Sequence, residues 1–242
     1  MQMRTHRLFR FILALVAVVT AGCAAPIVRT PAEDQKISSV AVVSVLNEKT
    51  AVDRIGLTVF NNKSVLVDQT GTLNLFAIDT VEGALRTARP SWQLKDARAE
   101  VPTLAQRMNA AGTSWLSPVS AMEKDLAALA ARLDVDALFV VLDSSMENSR
   151  GRGVGAFART MSLTSVRDVT VHAVTTLVLV DRAGRMITLR GAPPYQVIPA
   201  AELGIDYDMT MLSTSAGQDR IRSLMQEWLR TVLLASAKSM GY

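Results

Sequence analysis

Apolar and polar positions alternate between two periods along this chain. The segment 37–46 (ISSVAVVSVL) is rich in valine and nearly continuous in apolar character, as a strand covered on both faces would be. Segments 55–60 and 64–67 predict a strand pair around the turn-prone dipeptide Asn61-Asn62. A helix is then predicted to start at Asp79, whose carboxylate can cap the free amides with Glu82 three residues on. It should end near Arg89, because Pro90 disfavours helix in the residue before it. A second helix is expected over 102–109. In the third, Ser117 caps, Pro118 takes the first turn, and Val119, Met122, Leu126, Leu129 and Leu133 recur at helical spacing. The run 137–142 (ALFVVL) follows as a buried strand, so helix and strand together form half of a parallel crossover.

Segment 166–180 reads as a long strand, turned by Asp181-Arg182-Ala183-Gly184 into an antiparallel return over 185–189. After Pro193-Pro194, 195–199 reads as an extended edge segment. An amphipathic helix over 218–240 would bury Ile221, Leu224, Trp228, Val232 and Ala235. The expected fold is therefore α/β: one domain with a mixed sheet flanked by helices, a long hairpin near 166–190 and a C-terminal amphipathic helix.

The first 22 residues are different in kind. Arg4, Arg7 and Arg10 precede an apolar run over 11–21, and the small residues Ala21 and Gly22 lead to Cys23, the single cysteine. Charge, then apolar run, then small residues is the order of a secretory signal, and the run is too short to span a bilayer comfortably. Residues 19–23 (VTAGC) resemble the bacterial lipobox, which implies lipidation at Cys23 and a palmitate-type anchor. Two or three acyl chains hold a protein on its membrane where one does so marginally. By the sorting pattern of such lipoproteins, Ala24 rather than aspartate implies the outer membrane, facing the periplasm. The organisation expected is a signal at 1–22, a lipidated cysteine and flexible tether at 23–35, and a folded domain at 36–242. Residues 24–35, even fully extended, reach at most about 40 Å.

Removing the signal changes the charge. Three of the 26 Lys+Arg leave with it, so 23 face 22 acidic residues, and the basic excess that would suit nucleic acid disappears. A single cysteine and a single remaining histidine, His172, cannot assemble the common zinc sites. His172 is expected half exposed, on the strand face opposite Val169, Val171, Ala173, Leu177 and Leu179. No nucleophile-elbow or metalloprotease sequence occurs, and no cofactor is implied.

Two segments remain as candidates for binding. Asp143, Ser144 and Ser145 follow the buried strand, at the carboxyl strand end where α/β sheets hold ligands. The segment 150–157 reads as a mobile surface loop. Its Arg150 and Arg152, with Arg159 and Arg167, could meet an acidic partner or lipid headgroups, while Phe157 adds an apolar contact. Its glycines are spaced G-x-G-x-G, which is not a dinucleotide fingerprint. Of the tryptophans, Trp228 fits the terminal helix stripe, and Trp92 and Trp115 are expected as packing anchors.

The valine-rich strand near Ser39 to Val45, the central helix, and the step Leu133-Asp134-Val135-Asp136-Ala137-Leu138 into a buried strand resemble envelope lipoproteins of the curli-secretion and penicillin-binding-protein-activator kind. That resemblance implies the fold class alone. The function expected is a non-enzymatic binding or scaffold module for an envelope partner, or for further copies of itself. The alternative is a small-ligand-binding or hydrolytic domain using Asp143, Ser144 and Ser145.

Overall fold

The computed structural model describes residues 36–56, 60, 62–110, 118–144, 152–160, 162, 165–193 and 195–242. Its nine strands form one mixed sheet: β1 (Ser39–Ser44), β2 (Lys49–Ile55), β3 (Lys63–Asp68), β4 (Gln93–Lys95), β5 (Ala137–Asp143), β6 (Gly153–Thr160), β7 (Val166–Asp181), β8 (Met186–Arg190) and β9 (Tyr195–Pro199). Six helices accompany them: α1 (Leu73–Ala88), α2 (Val101–Ala110), α3 (Pro118–Ala121), α4 (Glu123–Leu133), α5 (Ala200–Leu203) and α6 (Ser215–Ser239). The mixed α/β architecture is the one the patterning predicts.

The sheet is built as two halves that share β7. At about 3.3 Å per residue, this 16-residue strand spans roughly 50 Å. Its C-terminal part lies between β5 and β8, in the order β4-β1-β5-β7-β8. Its N-terminal part lies between β6 and β9, in the order β3-β2-β6-β7-β9. β5 stops with Asp143 opposite Thr175, and β6 takes over with Gly153 opposite Val174. The Ser144 amide donates to Val174 O at 2.8 Å and the Gly153 amide to Ser144 O at 3.2 Å, which stitches the handover. β1 hands over to β2 at the same level, through residues 45–48.

One face of the whole sheet carries the larger core. Val40 and Val42 of β1, Ala156 and Ala158 of β6, and Val169, Val171 and Ala173 of β7 pack there with Leu73, Ile78, Val81 and Leu85 of α1 and with Ile221, Met225 and Leu229 of α6. The second core covers the opposite face of the first half only. Ala41 and Val43 meet Leu138, Val140, Val178 and Val180, under Leu104 of α2, Val119 of α3, and Leu126 and Leu129 of α4. β1 thus feeds both cores, which is why its apolar run is continuous. β5, parallel to β1 in register Val40↔Ala137, does the same.

The helix expected from Pro118 through Leu133 is divided at Met122 into α3 and α4, and three further element boundaries differ from the sequence reading. The first strand of the β2–β3 pair is Lys49–Ile55, not 55–60, and it pairs with Lys63–Asp68 with Val52 opposite Val65. Arg54 obscured its alternation: although inward-facing and 8% exposed, it is charged. The guanidinium lies 4.0 Å from the centre of the Tyr207 ring and donates to Tyr207 O, which supplies its burial with partners.

α1 begins at Leu73, so Asp79 sits within the helix instead of capping it. Its N-terminal amides are served from far away in sequence: Glu48 accepts from the Gly71 amide at 3.1 Å and from the Asn74 amide at 3.2 Å. The helix does end where Pro90 requires, with Arg89 as its C-cap.

α6 begins at Ser215, capped by Thr214, whose hydroxyl accepts from the Gly217 amide at 3.1 Å. Its buried stripe runs Ile221, Met225, Leu229, Val232, Leu233 and Ala237. Leu224 and Trp228 are half-buried at its flank and Ala235 is exposed, so the stripe is turned from the expected one. Ser117 and Trp115 lie outside the described residues. Trp92 is a packing anchor, with its ring 6.4 Å from Phe139 and 5.4 Å from Tyr242.

Candidate functional site

Of the residues singled out for binding, Cys23, Ser145 and Arg150 lie outside the described residues. Asp143 and Ser144 close β5, as expected of a carboxyl strand end. From Gly153 onward the segment read as a mobile loop is a strand. Gly153–Thr160 is strand β6, paired in parallel with β2 and antiparallel with β7. Arg152 precedes it and is exposed, while Phe157 and Arg159 lie on it, half-buried and exposed in turn.

The glycines of this segment explain the misreading. A Cβ at Gly153 would lie 2.4 Å from Asp143 Oδ1, and φ there is +63°. A Cβ at Gly155 would lie 2.8 Å from both Ala51 O and His172 Nε2. The glycines are places where other atoms need the room, not markers of flexibility. The alternation Val154, Ala156, Ala158, all buried, was the available strand signal.

Asp143 sits at the handover between the two halves. Its Oδ2 accepts from the Asn47 amide at 2.9 Å, joining the β1–β2 crossing to the β5–β6 crossing. Oδ1 is closed to solvent without a hydrogen-bond partner among the described residues. Burial pushes the carboxyl up to about 6, against the opposing pull of the Asn47 amide and of the Arg152 charge. The neighbouring crossing is pinned by Asn74 of α1. Its Oδ1 accepts from Ser44 Oγ at 2.7 Å and from the Leu46 amide at 2.8 Å, and its Nδ2 donates to Leu46 O at 3.1 Å. Sequence reading missed both Asn74 and Glu48, which act across loops.

His172 is buried, at 6% exposure, and not half exposed as its alternation suggested. Its imidazole leans over Gly155 and lies 6.1 Å from the Phe157 ring, and burial lowers its pKa to about 4. It is neutral at ordinary pH. The side chains sharing its face of the second half-sheet are those at register with it: Ala51, Asp53, Ser64 and Leu66 on β2 and β3, Phe157 and Arg159 on β6, Thr170 on β7, and Tyr195 and Val197 on β9. None of Leu66, Phe157, Tyr195 or Val197 belongs to either core. Leu66 and Val197 are 63% and 62% exposed. The helices that cover this side of the first half have no described counterpart here.

Two other features are self-contained. Between α2 and α4, a small cleft is lined by Glu100, Arg107, Asp125 and Arg132, whose charges pair as Arg107–Asp125 and Arg132–Glu100. Among the described residues no group of three or more His, Cys, Asp or Glu is placed to hold a metal, and no helix is long and apolar enough to cross a membrane.

No family model matches the chain, and no curated protein is similar to it. Among solved structures, the LpoB C-terminal domain from Salmonella enterica aligns over 77% of this chain and 93% of its own length. The identity is 10% and the TM-score 0.25, a similarity too low to support an argument about this chain.

Proposed function

We propose that the protein is a lipoprotein of the bacterial envelope, anchored through Cys23 to the outer membrane and facing the periplasm, whose folded domain is a non-enzymatic binding module for an envelope partner. The observation that carries this reading is the placement of the single cysteine directly after Ala21-Gly22 at the end of a basic-then-apolar leader. Residues 1–22 would be removed and 23–35 would tether the domain within about 40 Å of the membrane. A binding role is further supported by Leu66 and Val197, large apolar side chains that are 63% and 62% exposed on one half of the sheet.

Mass spectrometry of the N-terminal peptide from membranes tests the anchor. The expected peptide starts at Cys23 and carries acyl chains, and Cys23→Ser should release the protein from the membrane fraction. A mature N-terminus elsewhere, or membrane retention of Cys23→Ser, would overturn the reading.

A further inference from the structure

We propose that β3 is a docking edge for a second copy of this chain. The two copies pair their β3 strands antiparallel about a two-fold axis at Leu66 and so join their half-sheets into one. This goes beyond the envelope-partner reading above and takes from it only the membrane anchor, which holds the copies at high local concentration.

Four strands end the sheet: β4 and β8 in one half, β3 and β9 in the other. Unpaired edges invite further strands, and folds blunt them with short strands, bulges, prolines and charges. β4 is only three residues long. β8 pairs with β7 across a register shift between Leu179 and Val180. β9 ends in Pro199. β3 carries none of these devices: it runs six residues, with no proline, in unbroken register with β2. Its two charged residues do not guard it either. Lys63 Nζ donates to Asp208 O, and Asp68 Oδ1 accepts from the Thr70 amide at 2.8 Å.

The Gln69 amide donates to Glu48 O, which sets the phase of the β2–β3 pair. Odd-numbered residues of β3 therefore turn their main-chain groups toward β2, while Ser64, Leu66 and Asp68 turn theirs outward. Asp68 O accepts from Arg222 at 3.3 Å and keeps a second lone pair. Among the described residues nothing bonds the outward groups of Ser64 or Leu66, and both side chains are exposed. The edge matches itself in one antiparallel register. Leu66 then faces Leu66 of the second copy, Val65 faces Val67, and Ser64 faces Asp68, so that a hydroxyl meets a carboxylate and no like charges meet. The neighbouring registers set Leu66 against Ser64 or against Asp68 instead. Such a contact buries roughly 500 Å² in all, which is weak in dilute solution. Confinement to one membrane raises the effective concentration that makes it count. The two-fold axis stands normal to the sheet, so both copies present the same face to that membrane.

Oxidative cross-linking of the full chain in its native envelope tests the pairing. Leu66→Cys should give disulfide-linked dimers of the chain, because directly opposed strand residues lie about 5.5 Å apart at Cα, within disulfide reach. The parent, and Val197→Cys at a position of equal exposure, should give only background. Ser64→Cys coexpressed with Asp68→Cys should link the two kinds of chain to each other and neither kind to itself. Adding Leu66→Lys to both should cut that yield about fivefold, and Leu66→Lys in one with Leu66→Glu in the other should restore it, the melting transitions staying in place. Equal yields from Leu66→Cys and Val197→Cys, linkage of Leu66→Cys to a different protein, self-linkage of Ser64→Cys, or a Lys and Glu pair that restores nothing would overturn the proposal. Chain in the membrane fraction without adducts would remove the dimer and leave the anchor standing. Adducts between chains outside that fraction would remove the anchor and leave the dimer, and soluble chain without adducts would remove both.

Discussion

Replacing Asp143 with asparagine isolates the energetic consequence of burying a carboxyl at the crossing of the two half-sheets. The carboxyl titrates at about 6 in the fold, against 3.8 when unperturbed. A raised acid pKa means that the folded state holds its proton more tightly than the unfolded one. Stability is therefore undiminished well below pH 3.8, falls as pH rises from 3.8 through 6, and stays reduced above 6. Linkage over that gap costs about 3 kcal/mol at pH 8 but only about 0.5 kcal/mol at pH 4. Asparagine carries no such charge. Its Oδ1 can still accept from the Asn47 amide, while its Nδ2 meets the crowded side near Gly153. Whatever that misfit costs, it is the same at every pH and cancels in the comparison.

The stability of Asp143→Asn relative to the parent should therefore improve by about 2.5 kcal/mol between pH 4 and pH 8. Urea unfolding of the unlipidated chain, followed by tryptophan fluorescence at both pH values, measures it. A relative stability that changes by less than about 0.5 kcal/mol would refute the enclosed-carboxyl account. The parent profile by itself would mislead, because His172 works in the opposite direction. Its pKa is about 4 in the fold against 6.5 unperturbed. It contributes stability above pH 6.5 that is lost as pH falls from 6.5 through 4, so the two groups offset each other across almost the same window.

His172→Gln should remove that acid loss and leave the chain, relative to the parent, about 3 kcal/mol better off at pH 4 than at pH 8, measured by the same urea series. Asn74→Ala leaves Ser44 Oγ and both backbone groups of Leu46 without their partners in a buried crossing. A loss of about 2–4 kcal/mol is expected, with faster hydrogen exchange at the Leu46 amide; unchanged exchange there would count against the pin. Gly155→Ala drives a methyl toward Ala51 O, a backbone atom that cannot swing away. Calorimetry should show a destabilisation of about 1–3 kcal/mol, and a neutral result would mean that β2 and β6 separate more easily than their pairing implies.

Much of the fold was legible because its signals are local. β1 and β5 read as apolar runs, and they are buried on both faces by helices that read as helices. The long β7 and its turn through Gly184, at φ +80°, follow from alternation and a glycine in the one place a left-handed residue is needed. The candidate site was less legible. Phe157 and Arg159 were read as parts of a loop, and they lie on strand β6. Asp143 was recognised by its position at a strand end, and its enclosure against Gly153 and Asn47 was not.

By itself the sequence determined the α/β class and the order of most elements, because periodicity is a property of neighbouring residues. Only the tertiary structure decided that Gly153 and Gly155 belong to a strand, that Glu48 caps α1 from across a loop, and that His172 is buried. Alternation along a strand distinguishes two faces, but what covers each is set by elements far away in the chain.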